Sequence, residues 1–162
     1  MELVVGDKIP TFDHIIDHIY LGDIESVNSK NIIISNKIKI VINISNTRYE
    51  KLPGITYYNY DIDDYRSENI TQFFSSFLSI ASSTNSNILI HCQNSVSRSV
   101  TLTLVYLMQQ MNLRESLKYL KSRRTQYTKP NIGFIKQLIE YEKKIYDENS
   151  ITTSEFIEKC NL

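Results

Sequence analysis

The chain of 162 residues has no tryptophan, two cysteines, three prolines and four glycines, and its 18 basic side chains balance 18 acidic ones. Each scarcity excludes something. Two thiols, Cys92 and Cys160, cannot build a disulfide framework, so a reducing compartment is expected, cytoplasmic or otherwise intracellular. Zero net charge removes the long-range field that nucleic-acid and acidic-membrane binders carry, so neither is an expected partner. No apolar run approaches the about 20 residues needed to cross a bilayer. The N-terminus, MELVVGDKIP, has neither a basic flank nor a sustained apolar run, and no secretory signal is expected there. With no repeat, low-complexity linker or break in composition, residues 1–162 read as one domain. At 41% hydrophobic and 22% charged, the chain has enough apolar residues for a core. Its excess of Ile and Asn has the look of an AT-rich coding bias and carries no function by itself.

The pattern along the chain interleaves strands and helices. IIDHIYL (15–21) reads as a strand ended by Gly22. KIKIVINI (37–44) is β-branched and nearly continuous, as in a strand covered on both faces. ITYYNYDI (55–62), bounded by Pro53-Gly54, and NILIH (87–91) complete the set. Apolar residues at 70, 73, 74, 77, 78 and 81 predict a helix over 70–83. A buried helix follows residue 97, with Val100, Leu102, Leu104, Val105, Leu107 and Met108. An amphipathic helix spans 113–123. A third opens near Pro130 with Phe134, Leu138, Ile139 and Ile145 on one face. Thr152 and Glu155 stand at capping-box spacing before a terminal helix, 152–160. Such alternation predicts an α/β fold, its sheet mostly parallel and flanked by helices on both faces. Ligands of such sheets bind outside the carboxyl ends of the strands.

At one such end stands HCQNSVSRS, 91–99. A strand stops at His91-Cys92, a loop of five residues follows, and a helix begins near Ser97. A tight loop entering a helix turns backbone N–H groups inward and makes an anion site. The same partial positive charge favours the thiolate of a cysteine at its base. Arg98, on the first helical turn, can hold two oxyanions with its planar fork. A cysteine at a strand end is by itself usually a small buried hydrophobe. The complete His-Cys-x5-Arg-Ser pattern at a strand-loop-helix junction reverses that reading.

The stretch resembles the H-C-x-x-G-x-x-R-[S/T] signature of cysteine-dependent protein phosphatases, specifically the dual-specificity group. IYLG (19–22), VYLM (105–108) and PNIGFIKQLIEYE (130–142) resemble further motifs of that family. The likeness covers about 12–148 and leaves a helical tail over 149–162. It implies a central mixed sheet of about five strands flanked by helices, and a protein phosphatase acting on phosphotyrosine and phosphoserine/threonine without a cofactor or metal. Its partners would be phosphorylated proteins, and it leaves the oligomeric state open, a homodimer included. By the resemblance, Cys92 is the nucleophile that becomes a cysteinyl-phosphate. Arg98 grips the phosphoryl oxygens, with the N–H groups of Gln93, Asn94, Ser95, Val96, Ser97 and Arg98 completing the cradle. Ser99 donates to the sulfur, and His91 plays a supporting role. The general acid is sought among Asp61, Asp63 and Asp64. Its distance from Ile70 points to Asp64, with Asp63 second. Viral relatives similar to the poxvirus enzymes fit the coding bias and would place the protein in host cytoplasm or virion.

One position departs from the signature: Ser95 stands where the family has glycine. A Cβ there would strain the cradle by about 1–3 kcal/mol, enough to slow a reaction ~10- to ~100-fold. The alternative is therefore a pseudophosphatase, a phosphoprotein-binding module with weak or no turnover. Residues 93–97 contain no lysine, unlike inositol-lipid phosphatases, and the loop also differs from that of RNA triphosphatases. Lys121, Arg123 and Arg124 read as a solvated charge run at a helix end. His14 and His18, at i,i+4 spacing outside any expected helix, are not expected to bind metal.

Overall fold

The strand run NILIH becomes the centre of the molecule. In the computed structural model, which describes residues 9–162, it forms β5 (Asn87–His91), the middle strand of a five-stranded sheet. The order is β1-β2-β5-β3-β4, with β1 at Phe12–Ile16, β2 at Ile19–Gly22, β3 at Ile38–Asn43 and β4 at Thr56–Asn59. β2, β5, β3 and β4 run parallel to one another, and β1 alone is antiparallel, paired to β2. The expected mixed, mostly parallel sheet with helices on both faces is present.

The period-2 alternation of a strand explains the two cores. Ile88 and Ile90 of β5 face one core, built with α3 (Phe74–Ser82), α4 (Arg98–Leu107), α5 (Leu113–Ser122), α6 (Ile132–Tyr146) and α7 (Thr153–Cys160). Leu89 faces the other, a smaller one shared with Val41 and the short helices α1 (Ile24–Val27) and α2 (Lys30–Ser35). These two helices are too short to show a periodicity in the sequence. They start at Asp23 and Ser29, whose side chains accept from Ser26 and Ile32 N–H.

Several expectations need correction. The strand expected over 15–21 is a hairpin, with Phe12 paired to Gly22 and Ile16 to Ile19. Asp17 makes the turn at φ +49°, a left-handed conformation that Asp tolerates better than most residues. The strand over 55–62 is only Thr56–Asn59; Tyr60 adds one more bond to β3, its N–H donating to the Asn43 carbonyl (2.7 Å), and Tyr60 and Ile62 are buried beyond the strand's end. The helix over 70–83 begins as a 3-10 turn, Ile70–Phe73. Pro130 precedes the N-cap of α6, which is Asn131. On α6 Ile145 is 40% exposed, and the buried position is Glu142, whose carboxylate accepts from Leu113 N–H, Ser150 N–H and the Ser150 hydroxyl. With the Asn149 side-chain amide as a fourth donor, the buried carboxylate is satisfied, so it serves here as a bracket between α5 and the α6–α7 turn. The capping box at Thr152 and Glu155 is present. The N-terminal stretch read as lacking a secretory signal lies, for residues 1–8, outside the described residues.

α7 is held on the body by Phe156, which is fully buried. Phe156→Ala should destabilise the chain by about 3–5 kcal/mol, read as a lowered denaturation midpoint in urea; a change within about 0.5 kcal/mol would mean that α7 adds nothing to the core.

Candidate functional site

β5 ends between two parallel neighbours, with His91 opposite Gly22 of β2 and Asn43 of β3. Residues 92–97 leave the sheet there as a loop that enters α4 at Arg98. Its carbonyl groups are taken up from outside. The carbonyl of Gln93 accepts from Ile24 N–H (3.1 Å), that of Val96 from Lys129 N–H (3.0 Å), and that of Ser95 from Arg124 (2.5 Å). Among the described residues, no backbone N–H from 93 to 98 donates to a protein acceptor. Carbonyls fixed outward leave the N–H groups of a tight loop facing inward. The hydroxyl of Ser97, the N-cap residue of α4, accepts from Asn131 N–H (2.9 Å) instead of from an N–H of its own helix. The first turn of α4 is thereby left uncapped beside the loop, with its dipole aimed at the same point.

The loop forms the floor of a cavity of about 340 Å³ lined by Asp64, Cys92, Asn94, Val96, Ser97, Arg98, Gln126 and Tyr127. Cys92 is 2% exposed, with Sγ 3.1 Å from the Ser99 hydroxyl. Arg98 donates from one Nη to the Ile62 carbonyl (2.9 Å), and its Nε is buried without an acceptor. Of the three candidate carboxylates, Asp64 alone lines this cavity. Asp63 accepts from the Asn46 side chain (2.5 Å), and Asp61 pairs with Arg48 on the surface. The side chains of Gln93 and Ser95 face away: Gln93 accepts from the Thr47 hydroxyl, and Ser95 is fully buried. Only their backbones can reach an anion.

His91 is held by two polar contacts. Nδ1 faces the Cys92 carbonyl at 3.1 Å and Nε2 the Tyr49 hydroxyl at 2.6 Å. A carbonyl only accepts, so Nδ1 carries the proton and Nε2 accepts from Tyr49. Burial pushes the imidazole down to about 4, with the nearby Arg98 acting the same way and the Cys92 carbonyl and Asp23 opposing. Burial also raises the Tyr49 phenol, helped by Tyr57 and opposed by Arg48, so the ring stays a donor. The second thiol, half-buried Cys160, is pushed up to about 11 by burial, against the pull of Lys121 and Lys129. It borders an apolar recess of about 260 Å³ that adjoins the first cavity at Asp64.

Four residues have roles that escape the sequence reading. Asn131 ties the site together: its N–H binds Ser97, its amide donates to Asp64 (2.8 Å), and its side-chain oxygen caps α6 at Phe134. Gln137 brackets the far end of the Asp64 segment, donating to the Glu68 carbonyl and accepting from Ile70 N–H. Both lie in PNIGFIKQLIEYE, so the signal was present as a motif without a role. Gly133, in the same run, has no room for a side chain, because a Cβ would meet the Arg66 carbonyl at 2.0 Å. Arg124 gives no such signal. The charge run it belongs to is tied down as well as partly solvated: exposed Arg123 reaches the Ile15 carbonyl, and the half-buried Lys121 and Arg124 reach the Lys159 carbonyl and the loop. His14 and His18 face the carbonyls of Asp17 and Ala81.

Sheet, loop and helix together define an α/β protein with a buried thiol at the base of a loop whose backbone N–H groups have no protein acceptor among the described residues. Residues 19–144 match the model of the dual specificity phosphatase catalytic domain, and the chain belongs to that family. It is 32% identical to human Dual specificity protein phosphatase 21 over 153 residues, 89% of this chain and 78% of that one. It is also 32% identical over 150 residues to human Dual specificity protein phosphatase 7, across 87% of this chain and 36% of the relative. The chain thus spans about a third of the length of relatives such as the latter. Among solved structures it is similar to a mouse putative dual specificity phosphatase complexed with zinc tungstate, with a TM-score of 0.77 and 23% identity over 86% of this chain and 91% of that one. It is likewise similar to the human tyrosine phosphatase-like serine/threonine/tyrosine-interacting protein, with a TM-score of 0.75 and 26% identity over 85% and 98%. α7 lies beyond the matched segment. Among the described residues no helix is long and apolar enough to cross a membrane.

His91 sets a pH dependence on the fold. Its native pKa near 4 lies below the ordinary histidine value of about 6.5, so on acidification the unfolded chain takes up a proton that the native chain refuses. Stability should be fully present above pH 6.5 and fall as the pH drops from 6.5 to 4, by up to about 3 kcal/mol. Denaturant melts across that range should give a shallower slope for His91→Asn; an unchanged slope would refute the assignment.

Proposed function

We propose that the chain is a protein phosphatase that removes phosphate from phosphotyrosine and phosphoserine/threonine through a cysteinyl-phosphate intermediate. The observation that carries this reading is the convergence of Cys92, Arg98 and Asp64 on one cavity whose floor presents unpaired backbone N–H groups. In the first step the Cys92 thiolate attacks phosphorus. An S–P bond forms, the substrate P–O bond breaks, and the leaving oxygen takes a proton from Asp64. In the second step water attacks phosphorus and gives its proton to the Asp64 carboxylate. The S–P bond breaks, and phosphate departs. The Ser99 hydroxyl, 3.1 Å from Sγ, donates to the sulfur and makes it a better leaving group. The unpartnered Nε of Arg98 and the loop amides hold the equatorial oxygens as charge shifts in the transition state. Asn131 aims Asp64, and His91 fixes the carbonyl of Cys92 while remaining neutral.

Substrates are phosphorylated proteins in this reading, and the catalytic unit is the single chain. The pseudophosphatase alternative rests on Ser95 alone, whereas nucleophile, clamp, acid and sulfur donor are all retained.

Cys92→Ser should abolish hydrolysis of an aryl phosphate and of phosphopeptides. Turnover that survives it would overturn the nucleophile assignment. Wild-type protein that binds a phosphopeptide without hydrolysing it would favour the binding module. Asp64→Asn should slow phosphopeptides ~100-fold or more, while an aryl phosphate with an acidic phenol, which leaves without a proton, should be affected far less. The same pattern from Asp63→Asn instead would move the acid by one position.

A further inference from the structure

Residue 95 bends the loop in a way that ordinarily calls for glycine. Ser95 is fully buried at φ +59°, in the left-handed region that a Cβ disfavours. The segment after α5 lies against this bend and the two residues that follow it. Arg124 binds residue 95, the Lys129 N–H binds the carbonyl of Val96, and the Asn131 N–H binds the hydroxyl of Ser97. Gln126 and Tyr127, between these anchors, line the cavity. Residues 124–131 are thus a strap laid along three consecutive loop residues.

The first anchor has an unusual form. One Nη of Arg124 donates to both the carbonyl oxygen (2.5 Å) and the hydroxyl oxygen (2.7 Å) of Ser95. The other Nη donates to the Thr128 hydroxyl (3.2 Å) and, at 3.4 Å, to the Tyr127 carbonyl. Nε is buried without an acceptor. Burial pushes the guanidinium down to about 10 against the pull of Asp13, Cys92 and Asp23, so it remains charged at neutral pH. A half-buried cation whose buried Nε has no acceptor is costly to keep and gains from strong acceptors at its other nitrogens. The glycine of the family signature offers only its carbonyl. Serine offers two oxygens to the same nitrogen.

We propose that Arg124 is a positioning residue of the oxyanion cradle, and that its hydrogen bonds to the carbonyl and hydroxyl of Ser95 hold the left-handed bend that glycine would adopt freely. The serine hydroxyl is then part of the device that keeps the N–H groups of residues 96–98 turned toward the anion. The arginine and the serine work as a pair, and each loses most of its effect without the other. This rests on the reading of residues 92–98 as an anion cradle, and the test therefore reads anion binding rather than turnover.

The experiment measures the dissociation constant of inorganic vanadate for the intact chain, with thermal melts to confirm folding. Arg124→Met should weaken vanadate about 10-fold, the size of one charge-assisted hydrogen bond, in the otherwise native chain. In the Ser95→Gly background the same change should cost less than about threefold. A general structural role for Arg124 would give equal losses in the two backgrounds and would overturn the pairing. Ser95→Ala keeps the strained Cβ and deletes the hydroxyl, so it should bind vanadate more weakly than Ser95→Gly. Equal binding by Ser95→Ala and the native chain would also overturn the proposal, and this comparison stands even if Arg124→Met fails to fold. Arg124→Lys keeps the charge with a single flexible donor and should recover only part of the affinity. Native protein that does not bind vanadate would remove the cradle reading itself, an outcome distinct from either failure of the pair.

Discussion

The site depends on where the carbonyl oxygens of one loop go. A five-residue turn between a strand and a helix carries as many acceptors as donors, and an anion site exists only if the acceptors are held elsewhere. Here the surrounding structure supplies a partner for each of three carbonyls: the start of α1 for Gln93, Arg124 for Ser95 and the backbone of Lys129 for Val96. These partners come from two separate stretches of chain, the start of α1 and residues 124–131, so the cradle is a product of the tertiary fold as much as of its own sequence. Short capped α1, which builds the smaller core, is one of these partners. Its burial of Ile24 and Val27 against the sheet is therefore also what fixes the carbonyl of Gln93.

The second constraint is the start of α6. Asn131 is at once a helix cap, a partner of the loop through Ser97 and a partner of Asp64. Gly133 lets the backbone at Arg66 approach the first turn of the helix, and Gln137, one turn further on, binds the chain on both sides of Asn69. Segment 62–70 has almost no regular structure, so its position is set by these contacts and by the bond from Arg98 to the Ile62 carbonyl. Loops gain precision when rigid elements hold them at several points, and here one helix terminus provides most of those points.

This division explains what was legible in the sequence. NILIHCQNSVSRS could be read because its information is local: an apolar run, a short loop and a helix in chain order. Helices α3 to α7 were legible for the same reason, through period or cap. The hairpin at Asp17 was missed because its turn uses a left-handed Asp where Asn-Gly or Asp-Gly would have signalled it. The preference for Asp64 over Asp63 comes from the resemblance, through its distance from Ile70, and the different contacts the two make with Asn131 and Asn46 are invisible without the fold. Arg124 shows the limit most clearly. Two adjacent arginines after an amphipathic helix look like solvated charge, and only the packing of residues 124–131 along the loop shows that Arg124 anchors it.

Ser95 links these strands of the structure. Read from the motif alone it is a defect, a Cβ placed where backbone freedom is needed. In the fold the same atom carries a hydroxyl to the guanidinium of Arg124, whose Nε has no acceptor. The left-handed bend remains unfavourable in itself by about 1–2 kcal/mol. A net gain of about 1.5–3 kcal/mol from a hydrogen bond to a charged donor is of the same order and opposite in sign. A departure from a family signature can therefore be neutral when a neighbour outside the signature absorbs it. The unit that determines the shape of this cradle is then residue 95 together with residue 124, and neither position can be interpreted from the loop sequence alone.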